Sequence, residues 1–157
     1  MGFIMTKSTS TTQKTTLEQV LNQQVANLNV LYVKLHNYHW YVRGEKFFTL
    51  HVKFEEIYND VTLKMDEVAE RLLTLKGSPV ATMKEFLDIT TIQEADGKED
   101  ASKMVQNLIE DLATVAEELE EGIDLAENAH DHVTGDILIT IKGDFEKHMW
   151  MLRALQG

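Results

Sequence analysis

At 157 residues the chain has the length of a single domain, and its 43% apolar and 26% charged residues are ordinary for a soluble globular protein. It contains no cysteine, which excludes disulfides, thiolate zinc sites, iron–sulfur clusters and cysteine nucleophiles. A net charge of −11 repels nucleic acid and anionic membranes and attracts cations.

Residues 1–14 are rich in Ser and Thr, carry Lys7 and Lys14 and no acid, and read as a flexible polar tail ahead of a domain over residues 15–157. The stretch from Met1 to Met5 is too short for a signal-peptide apolar region, and Met5 is an alternative start. No run approaches the ~18 apolar residues of a membrane helix, so the expected location is the cytoplasm. Thr15 and Glu18, three apart, offer a capping box to a first helix over residues 16–42. Its apolar stripe is Leu17, Leu21, Val25, Leu28, Leu31/Tyr32, Leu35 and Tyr38/His39, in helical steps of three and four. Gly44 suits a tight turn. A second helix is predicted over residues 47–76, with Phe54, Ile57/Tyr58, Val61, Met65, Val68/Ala69 and Leu72 on one face and Gly77-Ser78-Pro79 as its stop. Residues 80–100 then form a crossover that holds a short amphipathic helix at 81–89 and a turn at Asp96-Gly97-Lys98. A third long helix is predicted over residues 101–127. After a polar loop, Thr134 is the expected cap of a fourth over residues 134–155. Two short loops and one long connection give an all-α chain with the ferritin-like variant of the four-helix bundle, as opposed to the up-down form.

Between Glu85 and Asp136, sixteen acids stand against two lysines, a composition that by itself describes a solvated helix face. Five other residues suggest chemistry: His39, His51, Glu55, Asp66 and Glu70. His51 and Glu55 are four apart and share a helix face, as do Asp66 and Glu70. Each pair flanks the apolar stripe, where a carboxylate costs free energy unless it is paired or metal-bound. Glu55 and Asp66 lie eleven residues apart, which is ~16 Å along a helix rising ~1.5 Å per residue. Metal–ligand bonds are only about 2 Å long, so one ion cannot take both pairs from one chain. His39 precedes the turn by as many residues as His51 follows it, so the two should face each other across the hairpin. Two half-sites follow: His39, His51 and Glu55 in one, Asp66 and Glu70 in the other. A two-fold-related neighbour brings one onto the other and makes two identical sites per dimer. Mixed imidazole and carboxylate ligands suit a redox-active iron better than structural zinc. An isolated HxxxE or DxxxE pair is usually surface charge; it is the joint arrangement about the turn that points to a metal. A single ExxH, Glu127 and His130, does not complete the di-iron set of a conventional bundle.

The stretch Leu35-His36-Asn37-Tyr38-His39-Trp40-Tyr41-Val42-Arg43-Gly44 resembles the Dps family, the dodecameric miniferritins. So do Phe47-Phe48-Thr49-Leu50-His51, Met65-Asp66-Glu67-Val68-Ala69-Glu70-Arg71, Gly77-Ser78-Pro79 and Glu146-Lys147-His148-Met149-Trp150-Met151. The similarity covers residues 18–155. It implies a ferroxidase whose inter-subunit ligands are His39, His51, Glu55, Asp66 and Glu70, with Glu55 standing where many members carry aspartate. It further implies oxidation of ferrous iron, by hydrogen peroxide in preference to dioxygen, and storage of ferric mineral in a hollow homo-oligomeric shell, a dodecamer, with protection of DNA as the outcome. Trp40 resembles a family tryptophan that either accepts an oxidising equivalent or packs as an aromatic. Acidic pores of the family map to Glu127, Asp131 and Asp136, with His132 in place of an acid common in relatives. DNA-binding members often use lysine-rich tails; with only Lys7 and Lys14, direct DNA binding is expected to be weak or absent, although a nucleoid-associated location is compatible. The rival readings are a non-specific DNA-compacting protein with secondary metal binding, and a helical interaction module whose His and acid residues are surface features. No phosphate-cradling loop or Ser-His-Asp motif points to hydrolysis or group transfer.

Overall fold

The computed structural model describes residues 14–157; residues 1–13 of the predicted tail lie outside the described residues. Five helices follow in order: α1 (Leu17–Tyr41), α2 (Phe47–Thr74), α3 (Met83–Ile89), α4 (Ala101–Asn128) and α5 (His132–Gln156). The described residues contain no strand. Helices α1 and α2 form one hairpin, α4 and α5 a second, and α1 also packs on α4. The long connection between the hairpins lays α3 against α1.

Local chemistry fixes the helix ends, in places differently from the expectation. The capping box of α1 is one residue later than Thr15 and Glu18. The Thr16 hydroxyl accepts from the Gln19 amide at 3.2 Å, and the Gln19 side chain accepts from the Thr16 amide at 2.9 Å. Glu18 is occupied elsewhere, accepting from the Ser78 amide at the start of the crossover. Gly44 takes φ +109° in the α1–α2 turn, as expected of a residue without Cβ. Helix α2 ends two residues before the predicted boundary, and Lys76, not Gly77, adopts the left-handed conformation (φ +65°). The Lys76 amide donates to Leu73 O and the Gly77 amide to Leu72 O, a Schellman closure. Gly77 is needed for space: a Cβ there would lie 3.1 Å from Glu18 Oε1 and 3.2 Å from Leu72 O. Helix α4 closes the same way around His130 (φ +56°). Asp131 then caps α5, three residues ahead of Thr134, by accepting the Thr134 amide at 3.0 Å. Thr134 is buried; its hydroxyl donates to Asp131 and accepts from Arg71 Nε.

The core is the inward stripe of all four long helices, with Leu21, Leu28, Leu35, Phe54, Val61, Leu112, Val115 and Phe145 almost fully enclosed. Polar groups buried on α1 anchor the crossover. Asn27 accepts from the Thr90 hydroxyl and the Thr91 amide, and donates to Glu118 of α4. Lys34, 4% exposed, donates to Gln93 O and pairs with Asp111 of α4 at 2.7 Å. Burial raises the Asp111 carboxyl above the ordinary aspartate value, against the pull of Lys34. The Tyr38 hydroxyl donates to Glu99 at 2.9 Å and accepts from Asn107. Burial pushes Glu99 up, but amide donors including that of Asp96, and the Tyr38 hydroxyl, outweigh it and hold the carboxyl at about 2. A second polar line joins α2 to α5. The Lys53 ammonium can only donate, so His148 Nδ1 accepts from it at 3.2 Å, and Nε2–H donates to Asp60 at 2.9 Å.

Candidate metal centre

The α1–α2 hairpin brings His39 and His51 together, as the spacing predicts. Their rings stack with centroids 3.7 Å apart and planes 12° from parallel. Each anchors the other's backbone: His39 Nδ1 lies 2.6 Å from His51 O, and His51 Nδ1 lies 2.7 Å from His39 O. A carbonyl only accepts, so each Nδ1 carries the hydrogen. In neutral imidazole the lone pair is then on Nε2 of both rings, the state a metal ligand requires. His39 is buried and His51 half-buried, with Phe47 stacked on the His51 ring at 5.0 Å.

Glu55, one turn beyond His51, is exposed and accepts from the Tyr58 hydroxyl at 3.4 Å. The Tyr58 phenol is raised above its ordinary value by desolvation and by the charge of Glu55. Asp66 and Glu70 are exposed further along α2. Among the described residues no group of three or more His, Asp or Glu side chains is placed to hold a metal within one chain. Asp66 and Glu70 thus stand apart from the histidine pair within the chain.

Trp40 is 68% exposed and meets His36 edge-on at 5.4 Å, one turn before it. Of the pore candidates, Glu127 and Asp136 are exposed. Asp131 is committed to the fold: it caps α5 and pairs with Arg71 at 3.0 Å. Burial raises its carboxyl, but the Thr134 hydroxyl and amide and the Arg71 guanidinium bring it below the ordinary value.

Three rings near the histidine pair went unnoticed in the sequence as site residues. Tyr58 places its ring 5.4 Å from His39, edge to face. His36 lies flat on Tyr58, with centroids 3.8 Å apart and planes 6° from parallel. Tyr32 packs on His36 at 4.3 Å and accepts from His36 Nδ1 through its carbonyl at 2.7 Å. The four-residue steps Tyr32–His36–Trp40 and Phe47–His51 were the available signal. Tyr58 was legible only as a stripe residue.

A four-helix bundle with one long crossover and a tautomer-fixed histidine pair at its first hairpin defines a ferritin-like protein. The ferritin-like domain family matches residues 18–157. General stress protein 20U of Bacillus subtilis is 55% identical over 141 residues, 90% of this chain and 97% of the relative. DNA protection during starvation protein 2 of Bacillus anthracis is 52% identical over 136 residues, covering 87% of this chain and 93% of that one. The crystal structure of Dps from Staphylococcus aureus superposes with a TM-score of 0.88 at 44% identity, over 90% of this chain and 95% of that one. The chain belongs to the Dps family.

Proposed function

We propose that the protein oxidises ferrous iron at pockets shared between two subunits and stores the ferric product in a hollow homo-oligomeric shell, a dodecamer, in the cytoplasm. The observation that carries this reading is the reciprocal pair of Nδ1–carbonyl bonds, which leaves two Nε2 lone pairs on rings stacked 3.7 Å apart. His39 and His51 supply neutral nitrogens. Glu55 and, from a two-fold-related subunit, Asp66 and Glu70 supply anionic oxygens, which favour the ferric over the ferrous ion. Hydrogen peroxide is the preferred oxidant and dioxygen the slower one. Two ferrous ions each give one electron; peroxide takes both with two protons, its O–O bond breaks, and two waters form. The chain's own part is to bind and orient the ions, and Trp40, next to His39 in the sequence, would give up an electron should one oxidising equivalent go unused. Glu127 and Asp136 would draw iron through an acidic pore, with the candidate Asp131 contributing less because Arg71 neutralises it.

The supporting relatives include proteins named for DNA protection during starvation. Here that protection is the removal of ferrous iron and peroxide, without strong direct contact. Lys34, Lys53, Lys64, Arg71 and Lys142 are each paired with an acid, and the net charge of −11 opposes the approach of phosphates to the remaining cations. Among the described residues no helix is long and apolar enough to cross a membrane. Replacing both histidines, His39→Gly with His51→Gly, is expected to abolish peroxide-dependent iron oxidation in a stopped-flow assay. Oxidation at the wild-type rate defeats the assignment.

A further inference from the structure

Resting on that reading of the pocket, we propose that Tyr58 is its positioning residue, holding the Glu55 carboxylate through its hydroxyl and the His39 ring through its edge. Three contacts carry the inference. The phenol O–H donates to Glu55 Oε1 at 3.4 Å. The ring meets His39 at 5.4 Å and 66°, an edge contact that restricts rotation of the imidazole. His36 clamps Tyr58 from its face at 3.8 Å, and is itself fixed because its Nδ1–H is bound to Tyr32 O.

Glu55 needs such a partner. It is exposed, and a glutamate has several rotatable bonds to immobilise before it can bind an ion. A carboxylate that gives one oxygen to a metal commonly has its other oxygen hydrogen-bonded, and loss of that partner typically lowers affinity about 10–100-fold. Tyr58, one turn beyond Glu55, is the described residue whose side chain donates to it. The alternative is that Tyr58 only fills space between α1 and α2. In that case its hydroxyl is dispensable.

The two differ in an anaerobic Co2+ titration of the assembled protein, read by visible absorption, which reports coordination and needs no turnover. Tyr58→Phe keeps the ring and removes the donor. It is expected to weaken Co2+ about 10-fold and to alter the band, with the assembly unchanged by size-exclusion chromatography. Glu55→Gln is expected to weaken Co2+ as well, and the double variant to bind no more weakly than Glu55→Gln alone, because Tyr58 acts through Glu55. If Tyr58→Phe binds as the wild type does, or if the two effects multiply, the positioning role is wrong while the pocket stands. If Glu55→Gln and the histidine double variant both bind Co2+ like wild type, the pocket itself is wrong, and the role of Tyr58 falls with it.

Discussion

The residues that decide this protein's behaviour are held by small numbers of directional contacts. His39 and His51 are the clearest case: each imidazole is oriented by the other's carbonyl, so the hairpin must be formed before either nitrogen is placed. That coupling was legible from the equal spacing of the two histidines about the turn, but the tautomer was not, because it depends on backbone atoms meeting across α1 and α2. Helix ends were less legible. Thr15 and Thr16 are equivalent as letters, and only the use of Glu18 by the Ser78 amide decides between them. Lys76 holds a left-handed conformation that a β-carbon disfavours by ~1–2 kcal/mol. Lys76→Gly is therefore expected to stabilise the protein by about 0.5–1 kcal/mol, less than the full strain because glycine also frees the unfolded chain. Chemical denaturation at fixed protein concentration checks this; a lower midpoint would show that the lysine side chain contributes more than its backbone costs.

At the scale of elements, periodicity gave α1, α2, α4 and α5 to within a few residues, and the length of the connection gave the crossover. What periodicity could not show is how the crossover is held. Asn27 and Lys34 are polar letters that belong to a solvent face by pattern, yet both are buried beneath the strap that follows α2. Glu99 does the same work at the far end, taking the Tyr38 hydroxyl and two amides of the Asp96-Gly97 turn. Its carboxyl sits at about 2, below the unfolded value, so the stability it contributes is present above the ordinary glutamate range and is lost as pH falls toward 2. Glu99→Gln is expected to lower the melting temperature at neutral pH and to flatten its decline between about pH 5 and pH 2. An unchanged acid limb would place the acid sensitivity at other carboxylates, of which Asp60 and Asp131 are also held below their ordinary values.

The whole molecule has more apolar surface than a lone subunit needs. Trp40, Tyr41, Phe48 and Trp150 are each more than half exposed, on a chain whose interior is already closed. Rings of this size left in water mark contact surfaces, and a shell of like subunits would cover them. The proposed pocket would be only half visible in one chain: the histidine pair assembles locally, whereas Asp66 and Glu70 lie about four and five turns beyond His51 along a rigid helix. Co-expression tests this division directly. One chain carries His39→Gly and His51→Gly, the other Asp66→Asn and Glu70→Gln, and each alone is expected to be inactive in peroxide-dependent iron oxidation. In a mixed assembly, every two-fold pair that combines them holds one intact pocket and one doubly defective pocket. Random pairing should therefore restore roughly a quarter of the wild-type sites. Mixed shells that stay as inactive as either parent would contradict a pocket built from two chains.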